Sequence, residues 1–167
     1  KSSFSERWLS FPTTHWRVVT AAGTDGDASR LALNDLCGRY WRPVYAFVRH
    51  LGHPPHDAED LTQAYFANLL SRQYLSRADC GKGRFRSFLI RDLKFFLSNE
   101  AEKGRAEKRG GKVAVLPLDI AWAERLLEED GRTSTDPDAC FDRQWALETV
   151  RLAKAEVLAN YRDQGKE

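Results

Sequence analysis

The chain has 167 residues and a formal net charge of +2, so it is long enough to bury the core of one domain, and its total charge neither favours nor excludes a nucleic-acid partner. Hydrophobic residues make up 42% of the sequence, which excludes wholesale disorder. No apolar run approaches the roughly 18 to 20 residues that span a bilayer, and no secretory signal is visible. We therefore expect a cytoplasmic protein with no membrane partner. Because methionine is absent, we also expect a fragment of a longer protein.

Helical periodicity recurs along the chain, and residues 113–116 form the only short β-branched run, so the sequence predicts an all-α fold. The first helix is expected at residues 29–51, and Gly52 ends it. Pro43 lies within this helix, which predicts a kink or a break into two helices. The apolar stripe of the helix comprises Leu33, Leu36, Cys37, Tyr40, Val44, Val48 and Leu51.

A second helix is expected to begin at Asp57, a good N-cap residue, with Asp60 completing a capping-box-like start. Its apolar side comprises Ala58, Leu61, Tyr65, Phe66, Leu69 and Leu70. Four polar side chains lie mostly off that side: Asp57, Glu59, Asp60 and Gln63. Two interpretations are open for them, since they can dock a basic partner helix, or the carboxylates can merely complement the helix dipole.

The strongest amphipathic pattern predicts a third helix over residues 85–109, which Gly110 and Gly111 end. Apolar side chains recur in it at three- and four-residue steps: Phe85, Phe88, Leu89, Leu93, Phe96 and Leu97. At about 100° per residue, the opposite side is basic. That side collects Arg84, Arg91, Lys94, Ser98, Arg105 and Arg109, and the positive run extends to Lys103, Lys108 and Lys112.

This basic helix is the first candidate for a nucleic-acid surface, because lysine and arginine bind phosphates through charge and counterion release. Phe88 lies at the border between the two faces, where its ring can stack on an unpaired base. The preceding loop, residues 79–84, is rich in glycine and positive. The alternative is a solvated surface helix with no nucleic-acid partner.

Residues 118–140 are predominantly acidic and contain Asp-Gly and Asp-Pro turn signals, so we interpret them as a linker that carries one short helix. A final helix is expected at residues 141–161. Its apolar positions are Phe141, Trp145, Val150, Val157 and Tyr161.

Motifs for catalysis or metal binding are weak. His53 and His56 lie close to Asp57, which leaves a metal-dependent hydrolase as one hypothesis, but Pro54 and Pro55 separate the histidines outside any helix. No nucleophile motif or phosphate-binding loop occurs. Three cysteines without Cys-x-x-Cys spacing favour a reducing cytoplasm over structural zinc: Cys37, Cys80 and Cys140. We therefore expect no enzyme activity, no catalytic residue, no metal and no cofactor.

Two motifs are similar to those of a known family. Asp-Ala-Glu-Asp-Leu-Thr-Gln at residues 57–63 and Arg-Phe-Arg-Ser-Phe-Leu at residues 84–89 resemble region two of bacterial sigma factors of the extracytoplasmic-function type. Phe-Pro-Thr-Thr-His-Trp at residues 11–16 and Tyr-Trp-Arg-Pro-Val-Tyr-Ala-Phe at residues 40–47 look like one subgroup of that family. The resemblance implies a compact helical bundle that acts in transcription initiation.

For the second helix, the resemblance implies a polymerase-binding surface. It would meet the coiled-coil clamp of the largest subunit of core RNA polymerase. Its residues are Asp57, Glu59, Asp60 and Gln63. Ala64 follows them where the family often has an acidic residue, so the clamp contact is expected to be weaker.

For the third helix and the loop before it, the resemblance implies binding to the promoter element nearest the start site. There the family flips a base of the non-template single strand and holds the duplex open. The expected DNA-binding residues are Lys82, Arg84, Arg86, Phe88, Arg91, Lys94, Ser98, Lys103, Arg105, Lys108 and Arg109. Many members carry Arg-Asn where this chain has Lys94 and Phe95, so Phe95 receives no base-reading role.

The resemblance also predicts the domain organisation. It divides the chain into an N-terminal extension at 1–28, a region-two helical domain at 29–116, an acidic linker at 117–140 and the start of a truncated region-four domain at 141–167. The helix-turn-helix of region four is not visible. An anti-sigma protein is a further candidate partner, and the acidic segment can cover the basic helix in cis. The alternative function is a helical adaptor for nucleic acid or protein that acts without polymerase.

Overall fold

The computed structural model describes residues 27–69, 84–106, 118–129 and 136–163. These residues form five α-helices and contain no strand, which confirms the all-α class; residues 113–116 lie outside the described ranges. The helices are α1 (Asp27–His50), α2 (Pro55–Leu69), α3 (Phe85–Ala106), α4 (Ile120–Glu129) and α5 (Pro137–Asp163). Within the described ranges, no helix combines the length and the apolar character needed to cross a membrane.

The described helices divide into two compact units. One unit contains the beginning of α1, at residues 27–36, together with residues 67–69 of α2 and all of α3. The other contains the rest of α1, residues 55–66 of α2, and both α4 and α5. The candidate DNA-binding helix and the candidate polymerase-binding surface therefore belong to different units.

Helix α1 continues through Pro43, so of the two expected outcomes the break into two helices is wrong, and the kink stays a prediction. Proline removes one backbone hydrogen bond and costs roughly 3 kcal/mol in a helix interior. The side chains that follow it are fully enclosed: Val44, Tyr45, Phe47 and Val48. Because each buried side chain of this size stabilises the fold by about 1.5–3 kcal/mol, packing outweighs the local cost of the proline.

The end of α1 is set by Gly52. Its φ of 94° lies in the left-handed region that favours glycine. The backbone N–H of Leu51 donates to the Phe47 carbonyl at 3.2 Å, and that of Gly52 donates to the Arg49 carbonyl at 3.0 Å. These bonds satisfy carbonyls that the helix end would otherwise leave without partners.

Helix α2 begins at Pro55, two residues before the predicted start, so the N-cap and capping-box roles expected of Asp57 and Asp60 are wrong. Proline is favoured at the first helical position, because its fixed φ suits a helix and its missing N–H is not needed there. The N–H of Ala58 donates to the Pro54 carbonyl at 2.9 Å. Asp57 instead lies in the first turn, where its carboxylate complements the helix dipole.

Aspartates also begin α4 and α5. The Asp119 carboxylate accepts the backbone N–H of Trp122 at 3.0 Å, and the Asp136 carboxylate accepts that of Asp138 at 3.1 Å. Pro137 then occupies the first position of α5, which explains why this helix begins four residues before the predicted residue 141. The short helix expected within residues 118–140 is found as α4, and residues 130–135 of that range lie outside the described residues.

A buried carboxylate ties α5 to α1. The Glu148 side chain is only 3% exposed and forms ion pairs with the guanidinium groups of Arg42 and Arg151. The Arg42 guanidinium also lies over the Trp122 ring of α4, 3.3 Å from its centroid. One arginine of α1 therefore contacts both C-terminal helices, through a charge and through an aromatic face.

A second carboxylate, that of Glu124, ties α4 to α1. It accepts hydrogen bonds from the Tyr45 hydroxyl at 2.6 Å and from Arg49 Nε at 2.7 Å. Burial, followed by the Glu124 hydrogen bond, raises the pKa of Tyr45, so its hydroxyl stays protonated and donates. The hydrogen bond to Glu124 is the largest effect raising the pKa of Arg49.

Apolar packing completes this unit. The rings of Tyr40 and Phe141, both buried, stack with centroids 6.5 Å apart. Cys37 is buried, as its position on the apolar stripe predicts, and burial raises the pKa of its thiol to about 11. Phe141 of α5 thus packs against α1 in the core of this unit.

These contacts bear on the hypothesis that the acidic segment covers the basic helix. Glu124 is bonded to α1 residues, while Asp119 and Asp136 cap the helices that follow them. Three of the acidic side chains therefore have structural roles in their own unit, and they lend the hypothesis no support.

The buried ion pairs predict a large effect of one substitution. We expect Glu148→Ala to lower the free energy of unfolding by about 3–5 kcal/mol, because it leaves the Arg42 guanidinium enclosed without its counter-charge. Urea denaturation measures this change. Glu156→Ala on the exposed part of α5 is the matched control and should change stability by less than about 0.5 kcal/mol. Equal small effects of the two substitutions would contradict the structural role of Glu148.

Candidate nucleic-acid interface

Helix α3 begins at Phe85, as predicted. The backbone N–H groups of Ser87 and Phe88 both donate to the Arg84 carbonyl, at 3.0 and 3.2 Å. The helix is described as far as Ala106, so the end predicted at residue 109 lies outside the described residues.

One side of α3 is buried, which fixes the rotation of the helix about its axis. Phe85 is 2% exposed, Leu89 and Leu93 are fully buried, and Phe96 is 7% exposed. These positions recur at steps of four, four and three residues, the spacing of a single helical face. The apolar stripe predicted from the sequence is therefore confirmed at its centre.

The opposite side of α3 is exposed and mostly basic. It presents four of the predicted DNA-binding side chains: Arg84, Arg91, Lys94 and Ser98. Lys103 is also exposed, but it follows Phe96 by seven residues and therefore lies on the side of the buried stripe. Lys103 Nζ also contacts Glu100 Oε1 at 2.8 Å. Since this pair is exposed, it is weak and leaves the lysine available to a phosphate.

Several predicted DNA-binding residues are not brought to this face. Arg86 is half-buried and lies about 140° around the helix from Arg91, so α3 does not place the two together. Lys82, Lys108 and Arg109 lie outside the described residues, as does the side chain of Arg105.

The two aromatic residues at the edge of the basic face differ in exposure. Phe88 is half-buried, and its ring stacks on that of Phe85 with centroids 5.9 Å apart. Phe95 is 60% exposed. Because it follows Phe88 by seven residues, it lies within about 20° of it around the helix. The expectation that Phe95 has no base-reading role stays a prediction.

The acidic start of α2 forms a second polar surface. Asp57 and Asp60 are exposed, whereas Glu59 and Gln63 are half-buried. Gln63 Nε2 donates to Glu59 Oε1 at 3.3 Å. The other side of α2 is buried, with the Thr62 hydroxyl donating to the Ala58 carbonyl at 2.6 Å. Packing therefore fixes which polar groups face solvent.

The hydrolase hypothesis finds no ligand set in the described ranges, where no group of three or more histidine, cysteine, aspartate or glutamate side chains is placed to hold a metal ion. His56 belongs to α2, contrary to the expectation that both histidines lie outside any helix. Its Nδ1 lies 3.7 Å from Asp60 Oδ2, across an exposed turn.

Comparison with known proteins identifies the segment that contains both surfaces. The family model described as Sigma-70 region 2 matches residues 36–103. The match supports a sigma-70 region 2 in this segment. It covers less than half of the chain and includes α2 with most of α1 and α3. The searches of curated proteins and of solved structures returned no match.

The two sides of α3 predict opposite responses to side-chain truncation. Leu93→Ala should lower the free energy of unfolding by about 2–5 kcal/mol, because it removes a fully buried side chain. Arg91→Ala, two residues away on the exposed side, should change it by less than about 0.5 kcal/mol. Urea denaturation of both variants measures the difference, and a reversed order of effects would show that the helix is rotated the other way.

Proposed function

We propose that the chain is the polymerase-binding and promoter-melting part of a transcription initiation factor. The match of residues 36–103 to Sigma-70 region 2 is the observation that carries this proposal. Two exposed surfaces support the proposal: the acidic start of α2 and the basic face of α3. In each helix the opposite side is buried, so packing fixes which side chains face solvent.

The basic face of α3 is the proposed promoter-binding surface. Arg84, Arg91 and Lys94 are exposed along the helix, where they can contact phosphates of the promoter element nearest the start site. Phe88 at the edge of this face can contact an unpaired base of the non-template strand. An open, non-helical strand is the ligand that presents both a phosphate backbone and free base faces to such a surface.

The acidic start of α2 is the proposed contact with the clamp of the largest polymerase subunit. Asp57 and Asp60 are the exposed carboxylates, and Glu59 and Gln63 lie beside them. The two exposed carboxylates present negative charge to a basic partner helix. Ala64 adds no charge, so the acidic patch ends at Gln63.

The finer assignment rests on the sequence motifs. Residues 57–63 and 84–89 support a factor of the extracytoplasmic-function type that acts in the cytoplasm without catalysis or a cofactor. We retain residues 29–116 as the region-two domain and residues 141–167 as the beginning of region four. An anti-sigma protein is a proposed regulator. The alternative is a helical adaptor that acts without polymerase. A test of binding to core RNA polymerase distinguishes the two, because only the initiation factor should bind it.

Two charge reversals should separate the proposed activities. Asp60→Lys is expected to weaken binding to core RNA polymerase at least tenfold while leaving affinity for single-stranded DNA unchanged, because like charges then face the basic clamp. Arg91→Glu is expected to weaken DNA binding with little effect on polymerase. Pull-down with core polymerase and fluorescence anisotropy with a labelled single strand measure the two activities.

Matched controls are available on the exposed part of α5. Glu156→Lys and Arg162→Glu make the same charge changes as the test variants at exposed positions of a different helix. Both should behave as wild type. A wild-type chain that binds nucleic acid but not polymerase would establish the adaptor instead, and loss of both activities in each test variant would contradict two separate surfaces.

Salt dependence gives a further test of phosphate contact. Each phosphate neutralised on single-stranded DNA contributes about 0.7 to the slope of log affinity against log salt. We therefore expect Arg91→Gln to reduce the magnitude of this slope by about 0.7, with Arg162→Gln as the control. Anisotropy titrations over a range of salt concentrations provide the slope. An unchanged slope would exclude a phosphate contact of Arg91.

A further inference from the structure

The Arg49 guanidinium of α1 bridges α4 and the connection between α1 and α2. Its Nε and Nη2 donate to the two carboxylate oxygens of Glu124 in α4, at 2.7 and 2.9 Å. Its Nη1 donates to the backbone carbonyl of His53 at 2.7 Å. Arginine presents its N–H groups in a rigid planar fork, so a carboxylate that binds two of them fixes the direction of the others. Glu124 therefore orients the N–H group that holds His53.

The His53 carbonyl lies in the short connection, residues 51–54, that leads into α2. Gly52, directly before it, has the φ of 94° that ends α1. The carbonyl of Pro54, directly after it, accepts the backbone N–H of Ala58 in α2 at 2.9 Å. Because so short a connection leaves few conformations open, the hydrogen bond from Arg49 helps to set the direction in which α2 begins.

The acidic residues of the candidate polymerase-binding surface lie in the first two turns of α2. Asp57 and Asp60 are exposed there, and Glu59 is half-buried. Charged groups that are already held in place bind a partner without a further cost of ordering. A contact that fixes the start of α2 therefore bears on the affinity of this surface.

The Arg49–Glu124 pair is largely shielded from water. The two side chains are only 19% and 23% exposed. Charge attraction is stronger where water is partly excluded, whereas fully exposed pairs contribute little. The Tyr45 hydroxyl also donates to Glu124 Oε1, at 2.6 Å, so the carboxylate is held by two side chains of α1. The pair is thus a firm support for the contact with His53.

We propose that Glu124 is a positioning residue for the polymerase-binding surface, because it orients Arg49 and thereby fixes the His53 carbonyl at the entrance to α2. The inference rests on the proposed function and deepens it, since it makes the docking of α4 on α1 a condition of tight polymerase binding. These residues and the start of α2 belong to one compact unit, so the effect passes through direct contacts.

Truncation of Glu124 tests the proposal, with Tyr45→Phe as the matched control. Glu124→Ala removes the support of Arg49, whereas Tyr45→Phe removes one hydrogen bond to the same carboxylate and leaves the Arg49 contacts in place. We expect Glu124→Ala to weaken binding to core RNA polymerase about tenfold, and Tyr45→Phe to stay within about twofold of wild type. Affinity for single-stranded DNA should be unchanged in both, because α3 belongs to the other unit.

A milder variant covers the case in which Glu124→Ala does not fold. Glu124→Gln keeps the volume of the side chain and one acceptor oxygen but loses the charge. It should weaken polymerase binding about threefold to fivefold. Circular dichroism at the temperature of the binding titration shows that each variant is folded.

Amide hydrogen exchange gives a readout that a uniform loss of stability would not produce. The Ala58 amide should exchange at least about fivefold faster in Glu124→Ala than in wild type, because the start of α2 opens locally. The amide of Val44, in the buried middle of α1, is the reference and should keep a wild-type rate. Tyr45→Phe should change neither rate. Equal acceleration at both amides would indicate general destabilisation and would overturn the proposal.

A double-mutant cycle identifies the path from Glu124 to α2. Arg49→Ala should weaken polymerase binding as much as Glu124→Ala does. The double variant should bind no more weakly than either single variant, since both changes remove the same contact with His53. Additive losses would show that the two side chains act separately, which contradicts the proposal.

The remaining outcomes separate this inference from the proposed function. Wild-type polymerase affinity in both Glu124 variants would overturn the positioning role, and so would an equal loss in Tyr45→Phe, which would assign the effect to the packing of α4 alone. If Asp60→Lys weakens polymerase binding while the Glu124 variants do not, the proposed function stands and this inference fails. If wild type does not bind polymerase, the proposed function itself fails, whatever the exchange rate of Ala58.

Discussion

The burial of one side of α3 is the constraint on which the functional account depends. Phe85, Leu89, Leu93 and Phe96 are nearly inaccessible to solvent, and they share a single face of the helix. A helix held along that face has no freedom to rotate about its axis, so the side chains opposite are presented to solvent in a fixed order. The basic and aromatic groups of α3 are therefore a preorganised surface, which would lower the entropic cost of the proposed binding to an unpaired strand.

Charge plays a different role in the unit that contains α4 and α5. There the carboxylates of Glu124 and Glu148 are directed at arginines of α1 and are partly or fully removed from water. A buried ion pair stabilises little in net terms, but loss of one partner is costly, so such pairs favour one arrangement of helices over others. Glu124, which the sequence places in an acidic linker, thus forms a specific contact between helices.

The sequence predicted the fold class, the start of α3 and its buried stripe, because helical periodicity is a local signal that α3 carries strongly. At Pro43 the sequence left a kink and a break open, and packing of distant residues keeps the helix continuous. It misplaced the starts of α2 and α5, where Pro55 and Pro137 fit the first helical turn. The role of Glu148 was not predictable, since its partner Arg42 is distant in sequence. For the site, the helical spacing of the basic residues predicted the exposed face of α3. The different exposures of Phe88 and Phe95 depend on packing, which the sequence does not show.

The central claim is that the exposed face of α3 contacts the non-template strand when the chain is bound to polymerase. Photo-crosslinking tests it most directly, with benzoylphenylalanine in place of Ser98 on that face and, as control, in place of Glu156 on α5. In a complex of the chain, core polymerase and promoter DNA, the account predicts a crosslink from position 98 to the non-template strand and none from position 156. Crosslinks from position 98 to polymerase alone, or equal DNA crosslinks from both positions, would contradict it.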